Sequence, residues 1–277
     1  MMNSSVVSGA GGLPKVILAA PDGAEAEVYL HGAHVTAWHP SNGAERLFLS
    51  ASADFREGTA IRGGVPIIFP QFAGLGPLPK HGFARVAQWE LAQADGSSAL
   101  LRLRDSEATR RTWPFAFVAE LKVVIGGRQL TIALTITNTG AQDFTFTSAL
   151  HTYLRVADAQ QTVIENLAGL RYRDQVLGNS EHVQVDRSLG FQGEVDRIYF
   201  NAPKTLFVRE SDRTLQVTAE GFPDVVIWNP GADKGAALSD LEPNGYQQMV
   251  CVEAAAIAAP IRLNAHESWR GSQSLQA

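Results

Sequence analysis

The chain has 277 residues, 45 % hydrophobic and only 18 % charged, with 28 acidic residues against 23 basic ones and a net charge of −5. A charged share below the usual quarter, roughly, fits a large buried core and excludes general disorder, and without a basic surplus nucleic-acid binding is not expected. The single cysteine excludes a disulfide framework and a cysteine-rich zinc site. No apolar run approaches the roughly 18 residues of a membrane span. The N-terminus lacks the basic and apolar regions of a secretory signal, so a cytoplasmic globular protein without a membrane partner is expected.

Through most of the chain apolar residues recur at period two, the mark of strands. In chain order the runs fall at 26–30, 34–38, 46–49, 99–103, 121–125, 130–137, 144–156, 214–218, 225–228 and 248–254. The clearest is 130–137, where Leu130, Ile132, Leu134 and Ile136 alternate with Thr131, Ala133, Thr135 and Thr137. Gly126-Gly127 supplies a hairpin turn before it. One short helix is predicted near 106–111, with Ser106 as its cap and Pro114 closing it. Many short strands separated by Gly, Pro, Asn and Ser clusters predict an antiparallel β-sandwich or barrel, as one domain over 1–277. Residues 1–12 are rich in Gly and Ser and are expected to be loose.

One stretch breaks the alternation. Residues 61–85 hold four prolines and five glycines, which excludes a helix or a central strand. Ile67, Ile68, Phe69, Phe72 and Phe83 would anchor it, so an ordered functional loop is expected. Arg62 and Arg85 bracket it, either facing one anion as bidentate donors or lying on the surface.

Two further residues stand out by their strand faces. His151 shares a face with Thr145, Thr147, Ala149, Tyr153 and Arg155, which is either the wall of a polar cleft or a solvated outer face. Glu253 falls among Met249, Cys251 and Ala255. A carboxylate on an apolar face needs a partner or a raised pKa and is a candidate general base; the alternative is an edge glutamate. His31, His34 and His39 invite a metal reading, but strand spacing points the side chains apart. Nothing matches a phosphate-binding Walker loop or a nucleophile elbow.

Taken together, several segments resemble one family. Ile61-Arg-Gly-Gly-Val-Pro-Ile-Ile-Phe-Pro-Gln-Phe72 and Leu78-Pro-Lys-His-Gly-Phe-Ala-Arg85 are similar to the signature of the hexose-6-phosphate mutarotases, the glucose-6-phosphate 1-epimerase branch of the aldose 1-epimerase superfamily. Leu150-His-Thr-Tyr-Leu-Arg-Val156, Val195-Asp-Arg-Ile-Tyr199, Val226-Ile-Trp-Asn-Pro230 and Met249-Val-Cys-Val-Glu-Ala254 follow in the family's order, and His31-Gly-Ala-His-Val-Thr-Ala-Trp38 resembles its opening hairpin. The resemblance implies an all-β, galactose-mutarotase-like antiparallel β-supersandwich with its site on the concave face. It implies His151 as catalytic acid, Glu253 as catalytic base, and Arg62, His81, Arg85 and Asp196 as substrate contacts. Lys80 stands where relatives commonly carry glutamine, adding charge toward a phosphate or shifting the sugar preference.

The expected activity is anomer interconversion of a sugar phosphate, foremost glucose 6-phosphate, by a monomer without metal or organic cofactor. The alternatives are a mutarotase for unphosphorylated aldoses and a non-catalytic carbohydrate-binding domain. A neutral sugar does not need the two arginines, and a pure binder does not need an acid–base pair.

Overall fold

The computed structural model describes residues 6–277. Among these the regular structure is almost entirely antiparallel strand, arranged in three sheets. The first sheet takes four strands in sequence order: Val6–Ser8, Pro14–Ala19, Glu25–Tyr29 and His34–His39. A nine-stranded sheet runs from Ser188–Gly190 through Val163–Glu165, Thr205–Arg209, Thr214–Glu220, Ser268–Gln276, Gln129–Asn138, Phe117–Gly126 and Ser98–Arg104 to Glu90–Ala94. An eight-stranded sheet runs from Ser180–Val183 through Arg171–Asp174, Val195–Tyr199, Asp224–Asn229, Met249–Leu263 and Phe144–Leu150 to Ile67–Ile68. The short strand Tyr153–Arg155 also pairs on Met249–Leu263.

Alternation decides what faces what. Val250, Val252, Ala254 and Ala256 enter the main core, which also takes Leu121, Leu134 and Ile136 from the nine-stranded sheet and Val28, Val35 and Trp38 from the four-stranded one. Met249, Cys251 and Ala255 point the other way, into two smaller clusters that include Trp228, Tyr153, Val226 and Ala149. The eight-stranded sheet is thus buried on both faces in its middle, and its second face carries the cleft described below.

The helix at Glu107–Thr112 begins as predicted. Ser106 accepts from the Thr109 N–H, and the Thr109 side chain reciprocates to the Ser106 N–H, a full capping box. The hairpin at 126–127 and the strand faces around 130–137 and 248–254 also form as read.

Three expectations need correction. The first dozen residues are not loose as a whole: residues 1–5 lie outside the described residues, but Val6–Ser8 pairs with Pro14–Ala19, and Tyr29 Oη accepts from the Ala10 N–H. Three residues are too few for alternation to reveal. Residues 46–49 form isolated bridges, Leu47 with Leu154 and Leu49 with Gly63, because the partner segment changes after a single pair. Finally, 144–156 is two strands. The Thr152 N–H turns back to the Leu150 carbonyl, and Phe144–Leu150 and Tyr153–Arg155 pair with different parts of Met249–Leu263. A second helix, Gly231–Ala237, has no sequence signal because seven residues give fewer than two full repeats of the helical period.

The Gly/Pro segment is ordered, and Gly82 shows how tightly. Its φ is +66°, and a Cβ there would lie 2.2 Å from the Phe69 carbonyl oxygen. Gly127 also has positive φ, at +56°, but among the described residues no heavy atom beyond its chain neighbours lies within 4 Å of its would-be Cβ. Gly127→Ala should therefore cost only the left-handed strain, about 1–2 kcal/mol. Gly82→Ala adds a backbone collision and should cost clearly more. Urea unfolding of both variants checks this; equal losses would show that the segment yields without penalty.

Candidate active site

The floor of the cleft is a row of side chains across the eight-stranded sheet. Tyr153 pairs with Cys251, Cys251 with Trp228, and Trp228 with Asp196. Two residues along from Cys251, and therefore on the same face, stands Glu253, paired with Val226. His151 sits at the break between the two short strands, where its N–H is fixed to the Pro66 carbonyl at 3.0 Å. Its ring stacks on Tyr153 at 4.8 Å and 10° and meets Trp228 edge-on at 5.9 Å. This brings His151 Nε2 to 3.4 Å from Glu253 Oε1, longer than a strong hydrogen bond. His151 is 8 % exposed and Glu253 1 %. Among the described residues, Glu253 Oε2 and His151 Nδ1 are buried without a partner.

The wall is the Gly/Pro segment. Buried Gln71 ties it internally: its amide donates to the carbonyls of Ala73 and Leu78 and its oxygen accepts from the Leu78 N–H. His81, at φ +68°, returns to the same turn. Its N–H donates to the Ala73 carbonyl, and its Nδ1 accepts from the Ala73 N–H at 3.3 Å. The proton of the neutral ring is thereby left on Nε2. His31 and His34 hold the stretch before it, through Nε2 contacts of 2.7 Å to the carbonyls of Thr59 and Gly63, either side of Arg62. These rings grip different carbonyls, and His39 lies instead beside Glu45 at 3.6 Å.

Arg62 donates from Nη1 to Tyr153 Oη at 2.9 Å, and its Nη2 lies 3.1 Å from Asp240 Oδ1. Arg85 donates to the Lys80 carbonyl at 3.1 Å. The Nε atoms of both arginines are buried without a partner among the described residues. The floor and wall together enclose about 300 Å³.

The electrostatics of floor and wall oppose each other. Burial first, and then the charge of Asp196, hold the Glu253 carboxyl well above the ordinary carboxylate range. Asp196 is itself raised by burial, although Gln175 Nε2 donates to it. Burial, then His81, Arg62 and Arg85, push His151 well below the usual imidazole value. His81 is pushed down to about 3 by burial, then by Arg85, Lys80 and Arg62. Both members of the His151–Glu253 contact are thus driven toward their neutral forms.

All seven residues singled out in the sequence (Arg62, Lys80, His81, Arg85, His151, Asp196 and Glu253) line this one cleft. Sequence reasoning missed Gln175, Lys234 and Asp240. They come from a turn, a short helix and the loop after it, where no periodicity marks a direction. Tyr153 and Trp228 were accessible in principle, since each shares a strand face with a site residue.

The sequence profile of the aldose 1-epimerase family matches residues 14–276. The chain is 37 % identical over 288 aligned residues to a protein from Cenchrus ciliaris provisionally named a glucose-6-phosphate 1-epimerase, covering 99 % of this chain and 88 % of the relative. It superposes on the crystal structure of a protein from Salmonella typhimurium provisionally described as a mutarotase. The TM-score is 0.87 at 30 % identity, over 99 % of this chain and 96 % of that one. A galactose mutarotase-like protein from Lactobacillus casei shares the fold at 14 % identity, with a TM-score of 0.75 and 95 % and 99 % of the two chains covered. The fold is that of the galactose mutarotase-like proteins, and the chain belongs to the aldose 1-epimerase family.

A buried carboxyl with a raised pKa favours the fold only while it is protonated. Its stabilisation is present at low pH and lost as pH rises through the folded value. Glu253→Gln keeps the shape and removes the charge. The variant should be more stable than the wild type, with a thermal midpoint raised by roughly 2 °C or more. The gap should be wider at pH 8 than at pH 5. Calorimetry at both values checks this; a gap that does not depend on pH, or a less stable variant at pH 8, would contradict the raised pKa.

Proposed function

We propose that the protein is an isomerase that interconverts the α and β anomers of a hexose 6-phosphate, glucose 6-phosphate foremost, as a cytoplasmic monomer using only its own side chains. The observation that carries this is the placement of one buried imidazole–carboxylate pair in the same cleft as Arg62, Arg85 and Lys80. The names of the relatives support the phosphorylated substrate.

The pair supplies what ring opening of a hemiacetal requires. Glu253 as carboxylate takes the proton of the anomeric hydroxyl while His151 as imidazolium protonates the ring oxygen. The C1–O5 bond breaks and leaves an open-chain aldehyde, which rotates about C1–C2. The freed hydroxyl then attacks the other face, returns its proton to His151, and the new anomeric oxygen recovers its proton from Glu253. One group acting as general acid or base typically contributes about 10²–10⁴-fold. His81, held by Ala73 with its Nε2–H free, and Asp196, held by Gln175, orient the sugar hydroxyls. The two arginines and Lys80 receive the phosphate.

Anomer-exchange NMR on glucose 6-phosphate beside glucose tests the activity. Glu253→Gln should remove nearly all acceleration in a folded protein. His151→Ala should lower turnover by about 10²-fold or more with less effect on affinity. A Glu253→Gln protein near the wild-type rate would eliminate Glu253 as the base. A His151→Ala protein changed only in its Michaelis constant would make His151 a binding residue.

The arginines carry the choice between sugars. A charge-assisted hydrogen bond is worth roughly 1.5–3 kcal/mol, so Arg62→Ala or Arg85→Ala should cost about ten- to a hundredfold in kcat/KM for glucose 6-phosphate. Activity on glucose should not fall, and the double variant covers sharing of the load with Lys80. Equal losses on both sugars would assign the arginines to holding the loop and favour an aldose 1-epimerase of unphosphorylated sugars.

A further inference from the structure

The catalytic pair has a third neighbour that the proposed chemistry does not use. Cys251, the only cysteine in the chain, is buried beneath the floor of the cleft on the same strand face as Glu253. A ligating atom of each of His151, Cys251 and Glu253 lies within 4.8 Å of the other two. We propose that these three side chains form a site for a thiophilic divalent cation of the zinc class, and that the bound cation and the sugar exclude each other.

The distances fit. Zinc bonds of about 2.0–2.1 Å at the tetrahedral angle set a nitrogen and an oxygen ligand roughly 3.3 Å apart. His151 Nε2 and Glu253 Oε1 are 3.4 Å apart, a spacing too long for a strong hydrogen bond and suited to a bridging cation. A zinc–thiolate bond of about 2.3 Å asks the sulfur to sit about 3.6 Å from the other ligands, so Cys251 closes by about an ångström at most. Glu253 Oε2, buried without a partner among the described residues, is available as a ligand without breaking a hydrogen bond among them. His151 and Glu253 line the cleft, so the cation and its completing water would enter from that side. On binding, the Cys251 S–H proton and the proton that burial keeps on the Glu253 carboxyl both leave to solvent as the cation takes their place.

The cation is no cofactor in this arrangement. It occupies the two atoms that move protons, so it blocks anomer exchange. That consequence rests on the roles proposed above; the binding rests on geometry alone.

Cadmium as a zinc surrogate tests it directly, because a cadmium–thiolate charge-transfer band can arise here from Cys251 only. One equivalent of Cd²⁺ should develop the band in the wild type. Excess glucose 6-phosphate should raise the apparent Kd, and His151→Ala or Glu253→Gln should weaken binding by about tenfold or more. Cys251→Ser, checked for folding by circular dichroism, should lose the band and lose inhibition by zinc relative to its own metal-free rate. No band in the folded wild type, or an affinity unchanged in both His151→Ala and Glu253→Gln, would overturn the site. A band with the expected affinities but undiminished exchange in the cadmium-loaded protein would keep the site and remove the proton-transfer roles of the pair.

Discussion

The burial of one carboxyl organises this molecule. Glu253 lies in the middle of a strand whose opposite face is the main core, and almost no water reaches it. An ionised carboxylate in such a place needs a cation or several hydrogen bonds. It has neither in full: among the described residues Oε2 is unpartnered, and the neighbour of Oε1 is an imidazole at 3.4 Å that is itself driven neutral. The fold therefore carries a destabilised group at its centre and offsets it elsewhere, through a core that gathers residues from all three sheets. A site that costs stability is common where chemistry needs a basic carboxylate.

The second constraint is the long Gly/Pro segment. Only Ile67–Ile68 joins a sheet ladder; elsewhere scattered backbone hydrogen bonds, such as Val65 N–H to the Val35 carbonyl and Phe83 N–H to the Phe69 carbonyl, are joined by polar side chains. Gln71 closes the turn from inside, Thr147 accepts from the Phe72 N–H at 2.7 Å, and His31 and His34 hold the approach to Arg62. Burial pushes His34 down to about 4, so at neutral pH it serves as an uncharged link. Held this way, the guanidinium groups face the cleft without the entropy loss that free surface arginines suffer on binding an anion.

Much of this was legible in the sequence because period two reports directly which side chains share a sheet face. The alternation through 248–254 separates Glu253 and Cys251 from Val250 and Val252, and the structure keeps that separation. The composition of 61–85 likewise marked a segment that could be neither helix nor central strand, and it contributes only the two-residue edge strand Ile67–Ile68. What remained hidden depends on contacts distant in sequence. The break at His151 is set by pairing with two parts of one long strand. Asp240 reaches Arg62 from a loop with no pattern of its own, and Val6–Ser8 is too short to register. Family resemblance, rather than periodicity, singled out His81 and Asp196.

On the proposed reading, substrate charge and proton transfer are coupled through one field. After burial and His81, the charges of Arg62 and Arg85 help to depress His151. The arrangement that opens the ring, carboxylate beside imidazolium, carries the same number of protons as the neutral pair that burial favours; only the proton's position differs. A phosphate dianion against the arginines offsets their charge at His151 and shifts the proton from Glu253 toward the imidazole. A neutral sugar leaves that field uncompensated and finds the pair in its inactive arrangement. Selection for the phosphorylated sugar is then exerted on turnover as well as on affinity, because the group that anchors the substrate also sets where the catalytic proton resides.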